Sequence, residues 1–126
     1  MHGLILFAHG ARDPRWARPF EAVAERVRQA RPGLHVALAY LELMEPSLET
    51  AGAALADAGC RHVDVLPLFL GAGGHVRKDL PAKIDQLRQT HPGTEWRLHT
   101  AAGESEPLIA ALATWALDIA AQPQQP

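Results

Sequence analysis

Four times along this chain a short run of branched, apolar residues is followed by a longer segment of helical periodicity. That alternation restricts the fold more than any other feature. Strands separated by helices cannot pair through tight hairpins; each crosses over and pairs in parallel, in the right-handed sense. The expectation is an α/β fold: a doubly wound, four-stranded parallel sheet between two helical layers, most simply in strand order 2-1-3-4.

The segments follow in order. Gly3–Ala8 (GLILFA) is nearly all apolar, as in a strand covered on both faces. Asp13-Pro14 pairs an N-cap acid with a proline at the first helical position, and Phe20, Val23, Ala24, Val27 and Ala30 form an apolar stripe that Pro32-Gly33 ends. Leu34–Leu43 is the second strand. Glu45-Pro46-Ser47-Leu48 opens the second helix, with Leu48, Ala51, Gly52 and Leu55 facing inward and Gly59 closing it. Val63–Leu70 is the third strand. Asp79-Leu80-Pro81 reads as the cap of a third helix carrying Leu80, Ile84 and Leu87, closed by Pro92-Gly93. Glu95–Thr100 is shorter and more polar, as suits a sheet edge. Ser105-Glu106-Pro107 opens a last helix whose Leu108, Ile109, Leu112, Trp115, Ala116 and Ile119 make the strongest apolar stripe of the chain. Residues 1–121 are read as one domain and Gln122–Pro126 as a disordered tail.

The stretch Val63–Pro81 carries the chemistry. A strand runs into Gly71-Ala72-Gly73-Gly74, whose lack of bulk lets a ligand approach the backbone, and then into His75, Arg77 and Lys78. Open α/β sheets bind ligands beyond the carboxyl ends of their strands, where the winding reverses. In the order 2-1-3 the strands ending at His9, near Glu42 and before His75 are neighbours about 4.8 Å apart, so those side chains can converge on one crevice. Two imidazoles and a carboxylate suit a borderline divalent ion such as Co²⁺, Fe²⁺, Ni²⁺ or Zn²⁺.

Plainer readings stand beside these. His9 could only cap a turn, Glu42 could be a solvated strand-end acid, Glu45 faces a helix dipole, and Asp13 and Asp79 are N-cap candidates first. The other histidines receive no chemistry, and Trp16, Trp96 and Trp115 read as packing residues. Arg12, Arg15, Arg77 and Lys78 would rim the crevice as anion anchors, although the net charge is −2. A ligand needing both a transition-metal centre and several anionic anchors fits a polycarboxylated tetrapyrrole.

Composition narrows the classes. The near-neutral charge argues against nucleic acid as a bulk electrostatic partner. No apolar run spans a bilayer, and the Leu4–Ala8 run is too short and lacks the basic flank of a signal peptide. The single Cys60 excludes an internal disulfide or an all-cysteine cluster within one chain, which suits a reducing cytoplasm.

At His9-Gly10 with Arg12-Asp13-Pro14, at Leu41-Glu42 with Glu45-Pro46-Ser47-Leu48, and at Pro67-Leu68-Phe69-Leu70 with Gly73, His75-Val76-Arg77 and Asp79-Leu80-Pro81, the chain resembles the class II chelatases of the CbiX type, the short sirohydrochlorin chelatases. The resemblance implies a chelatase-like (flavodoxin-like) three-layer fold and ATP-independent insertion of Co²⁺ or Fe²⁺ into sirohydrochlorin, towards cobalamin or sirohaem. It implies His9, His75 and Glu42 as the metal-site residues and no organic cofactor, the divalent metal (Co²⁺, Fe²⁺ or Ni²⁺) being a substrate. Arg12, Arg15, Gly73, Gly74, Arg77 and Lys78 would face the tetrapyrrole. Longer relatives carry two such domains, so the resemblance implies a homodimer here. A carrier that binds metal or metallated tetrapyrrole without turnover, a receiver-like or flavodoxin-like signalling module and a phosphohistidine enzyme are the competing readings; against the second, the first strand ends in His9-Gly10 with no Ser/Thr-rich phosphate loop and no acidic cluster for Mg²⁺, and the third leaves the Gly73–Asp79 block unexplained.

Overall fold

Four strands, β1 (His2–Ala8), β2 (His35–Tyr40), β3 (His62–Pro67) and β4 (Glu95–Leu98), pair in parallel throughout in the order β2-β1-β3-β4. The crossovers are α1 (Arg18–Ala30), α2 (Leu48–Asp57) and α3 (Gly74–Thr90), and α4 (Glu106–Ala120) follows β4. The computed structural model describes residues 1–71 and 73–123; the side chain of His75, Ala72 and the last three residues of the expected tail lie outside the described residues. No helix among the described residues is long and apolar enough to cross a membrane.

The period-two alternation of the strands divides the core between two faces. Ile5, Phe7, Val63, Val65, Ala39 and Trp96 meet Leu48, Ala51 and Leu55 of α2 and Leu80, Ile84 and Leu87 of α3. Burying each of the larger of these side chains contributes about 1.5–3 kcal/mol, which makes this the stabilising centre of the fold. On the opposite face Ala8, Leu38 and Tyr40 pack with Ala17, Trp16 and Phe20 around the start of α1. The three layers and the strand order agree with the sequence-based expectation.

Several boundaries differ. Asp79-Leu80-Pro81 does not cap α3. The helix begins earlier, after an N-cap at Gly73, and holds Pro81 in its interior. An interior proline costs about 3 kcal/mol, but the longer helix sets Val76 against the core one turn before Leu80, which offsets much of that. The second helix starts after Ser47, whose hydroxyl accepts the Thr50 amide, leaving Pro46 before the cap. β2, β3 and β4 end at Tyr40, Pro67 and Leu98, short of the Leu43, Leu70 and Thr100 expected.

The largest departure is α4. Its apolar stripe, the strongest in the sequence, buries no residue, and Trp115, expected as a packing residue, is 64% exposed. Over β3 and β4 the second sheet face therefore has no helix among the described residues. Leu4, Asp64, Leu66, His99, Thr100 and Ser105 line an open depression of about 400 Å³ there. Within it Asp64 accepts hydrogen bonds from His2 Nε2 (2.5 Å) and His99 Nε2 (2.7 Å), two histidines to which the sequence assigned no role. Burial alone would raise the Asp64 carboxyl, but these two hydrogen bonds hold it below the ordinary carboxylate value. Cys60 is buried, and burial pushes its thiol up, in keeping with an inert residue.

At the exit of β1, Gly10 adopts φ +100°, and a Cβ there would lie 1.9 Å from the Glu42 carbonyl oxygen. Only glycine allows the β1 and β2 exits to touch in this way.

Two outcomes follow. Gly10→Ala lowers unfolding stability by about 2–4 kcal/mol in urea titration, from a left-handed alanine and a backbone overlap together; a loss below about 0.5 kcal/mol contradicts the close approach. Because the folded Asp64 carboxyl is depressed, its stabilisation is present above about pH 4 and is lost as pH falls through the lowered folded value. Asp64→Asn therefore costs about 1 kcal/mol at pH 7, and the gap to wild type closes towards pH 2 in urea midpoints at fixed protein concentration.

Candidate active site

His9 and Glu42 are brought together by backbone geometry. The β1 ladder continues past the strand ends: the Leu41 amide donates to the Ala8 carbonyl (2.9 Å) and the Glu42 amide to the His9 carbonyl (3.1 Å). With the two exits in register, His9 Nε2 stands 3.2 Å from Glu42 Oε1, both side chains half exposed. On the other side of β1, the Leu68 amide donates to the Phe7 carbonyl (2.7 Å) and carries the β3 exit past the same point. Phe69 then sets its ring edge-on to His9, with centroids 6.0 Å apart, and to Phe7 at 5.7 Å. The His9 ring is thus held by a carboxylate on one side and a buried aromatic on the other.

The chain leaves β3 through Leu68–Gly71, and Gly73 is the N-cap of α3. A Cβ at Gly71, Gly73 or Gly74 would meet nothing within 4 Å, so packing does not require glycine there and the space beside the backbone is open. Position 75 falls in the first turn of α3. Its side chain lies outside the described residues, and with it the expectation that the His75 ring meets that of His9. Among the described residues no group of three histidine, cysteine or acidic side chains is placed to hold a metal ion; His9 and Glu42 supply two donors.

Two clefts flank the first turns of α3. One, of about 280 Å³, is lined by Phe7, Leu41, Glu42, Asp79, Leu80 and Lys83 among others. Its Lys83 Nζ contacts Glu49 Oε1 of α2 at 3.1 Å. Partial burial alone would raise the Glu49 carboxyl, but its own backbone amide, Lys83 and Ser47 hold it below the ordinary value. The second cleft, of about 290 Å³, lies between α3 and the exits of β3 and β4, beside Phe69, Leu70, Arg77, Leu98 and Glu104.

The basic residues do not form one free rim. Arg15 closes a fork on Asp13, with Nε at 3.1 Å and Nη2 at 2.8 Å from Oδ2, and this pairing holds the Asp13 carboxyl below its usual value. Asp13 also caps the short 3-10 turn Pro14–Ala17 through the Arg15 amide, the structural role that its sequence position predicts. Arg77 faces Glu104 at 3.7 Å on the second cleft, away from Glu42. Arg12 and Lys78 are exposed and carry no ion pair among the described residues. Sequence reasoning passed over two residues. Phe69 was legible as an aromatic directly before the glycine run. Lys83 had only its i+4 spacing from Asp79, which puts both on one helix face.

The arrangement suits metal or proton handling. In the tautomer that donates Nε2–H to Glu42, His9 keeps a free Nδ1 lone pair, and the carboxylate orients the ring.

Comparison with known proteins gives the family. The CbiX family model matches residues 3–117. The chain is 32% identical over 84 residues to the sirohydrochlorin cobaltochelatase of Methanopyrus kandleri, a match covering 67% of this chain and 59% of the relative, hence under two thirds of its length. Its fold matches a CbiX protein from Marinobacter aquaeolei VT8 with TM-score 0.81 and 38% identity, covering 95% of this chain and 98% of that one. It also matches the sirohydrochlorin chelatase SirB of Bacillus subtilis subspecies spizizenii in complex with cobalt (TM-score 0.73, 26% identity, 94% of this chain, 51% of the other). With a family match running from the first strand into the last helix, the chain belongs to the CbiX family.

Proposed function

We propose that the chain inserts a divalent metal, Co²⁺ or Fe²⁺, into sirohydrochlorin without ATP, as a homodimer in the cytoplasm. The observation that carries this reading is the His9–Glu42 pair, open to solvent at the exits of adjacent strands in a member of the CbiX family. The names of its relatives, a sirohydrochlorin cobaltochelatase and a sirohydrochlorin chelatase bound to cobalt, support the substrate and the metal.

Insertion releases two protons from the pyrrole N–H groups, and the four ring nitrogens take the place of the metal's other ligands. His9, through Nδ1, holds the incoming ion or takes a proton, and Glu42 fixes the imidazole through Nε2 and spreads the positive charge that forms. His75, in the first turn of α3, is the second imidazole of the proposal, and the open space at Gly73 and Gly74 receives the edge of the macrocycle. Anionic side arms need cations. Arg12 and Lys78 are unpaired among the described residues and are the readiest anchors. Arg15 and Arg77 would first exchange Asp13 and Glu104 for a substrate carboxylate. Since exposed pairs of this kind are worth only about 0–1 kcal/mol, that exchange is cheap.

Anaerobic incubation with sirohydrochlorin and each of Co²⁺, Fe²⁺ and Ni²⁺, followed by visible absorption against the uncatalysed background, tests this reading. His9→Ala and His75→Ala are each expected to lower the insertion rate about 10²–10⁴-fold. Glu42→Gln, which keeps the shape and loses the charge, is expected to lower it about 10–100-fold. Wild-type rates in both histidine variants remove the site, and stoichiometric binding without turnover gives the carrier reading instead. Arg12→Ala is expected to raise KM for sirohydrochlorin with kcat little changed, as the loss of an anchor felt equally before and during insertion.

A further inference from the structure

Apart from Met1 and the side chains of α4, the large apolar side chains that stand exposed among the described residues are Val23, Leu43 and Leu70. Val23 belongs to α1. The two leucines, 59 and 70% exposed, belong to neither core cluster. Each follows directly on a residue that touches the His9 ring: Leu43 on Glu42, and Leu70 on Phe69.

Both are held on fixed backbone. The Tyr40 amide donates to the Pro46 carbonyl at 2.9 Å, which closes residues 41–45 into a tight loop with Leu43 at φ +64°. A leucine seldom takes this left-handed conformation, which glycine adopts freely and asparagine tolerates. Strain of this kind persists where the surroundings over-determine the backbone. Here the Leu41 and Glu42 amides, donated to Ala8 and His9, fix the chain just ahead. Leu70 is held by another device. The Gly103 amide donates to the Phe69 carbonyl at 2.8 Å, and a Cβ at Gly103 would lie 1.9 Å from the Leu70 carbonyl oxygen. A lone exposed leucine needs no explanation. Two on pinned backbone, one of them strained, beside the same imidazole are a different matter, because packing within the chain gains nothing from them.

We infer that Leu43 and Leu70 are the apolar contacts on which the ring of the substrate rests, one from each strand exit flanking that of β1. The inference depends on the insertion reading above and deepens it. A tetrapyrrole with carboxylate arms is apolar over its ring and anionic at its rim. The leucines match the ring and the cations match the rim; Leu70 and Arg77 line the same cleft. Since the leucines are fixed before the ligand arrives, little ordering entropy is lost on binding, and they set where the ring nitrogens lie relative to His9.

Titration of metal-free sirohydrochlorin into the full chain, followed by fluorescence and paired with urea unfolding and sedimentation equilibrium, tests this. Leu43→Gly is expected to raise Kd about tenfold, the effect of losing part of one leucine burial. The same variant is expected to move the urea midpoint upward, because a left-handed glycine is unstrained. Leu43→Asn, which accepts that backbone conformation, is expected to weaken binding likewise. Leu70→Ser is expected to raise Kd by a similar factor with the midpoint little changed. These losses are expected to persist at high salt, where the effect of Arg12→Ala is screened. A wild-type Kd in either Leu43→Gly or Leu70→Ser overturns the paired contact and leaves insertion standing. A lower midpoint in Leu43→Gly assigns that side chain to packing, and a changed sedimenting mass in either variant assigns it to a second copy; each overturns the inference. A wild type that does not bind sirohydrochlorin overturns the insertion reading itself, and this one with it.

Discussion

The hydrogen-bond ladder of β1, carried on beyond its last strand residue, is the constraint on which the crevice depends. Leu41 and Glu42 donate back to Ala8 and His9 on one side, and Leu68 donates to Phe7 on the other. Three chain exits are thereby held in register where the winding of the sheet reverses. A side chain on a free loop would have to lose its conformational freedom on each encounter with a ligand; one on a continued ladder has already lost it on folding. Gly10 is the steric condition for this, since the Glu42 carbonyl occupies the volume that a side chain would need. Phe69 completes the arrangement by linking the orientation of His9 to the buried ring of Phe7.

The two faces of the sheet are unequally finished. The face under α2 and α3 holds most of the buried apolar volume and supplies the stability of the domain. The opposite face is covered by α1 over β2 and β1 and is open over β3 and β4, where a carboxylate between two imidazoles takes the place of apolar packing. A cluster of this kind tolerates water. The crevice at the strand exits and the open face over β3 and β4 lie on different parts of the molecule.

Much of the fold was legible in the chain because its signals are local. Strand runs, the Asp13 and Ser105 caps, and the glycine and proline punctuation each act within a few residues, and four alternations leave few topologies. The errors came where a long-range contact outweighs a local one. Pro81 looks like a helix start, yet the packing of Val76 and Leu80 on the sheet draws the helix back to Gly74. The α4 stripe correctly marked an apolar helix face, but periodicity says only that a face is apolar and not which surface meets it. At the site, His9 and Glu42 could be named because each lies within two residues of a strand end. The engagement of Arg15 by Asp13 and of Arg77 by Glu104 could not, because an ion pair depends on rotamers and on a backbone path that composition does not encode.

The sequence by itself determined the parallel, doubly wound sheet, the order of its strands and the strand exits from which reactive side chains emerge. These follow from hydrophobic periodicity and from the right-handedness of crossovers, both properties of short segments of L-residues. Only the tertiary structure decided that His9 lies against Glu42 and Phe69, that the basic residues divide between two clefts, and that one half of a sheet face and the last helix are both left uncovered. Those outcomes depend on distances between segments remote in sequence, which are set by how the whole core packs.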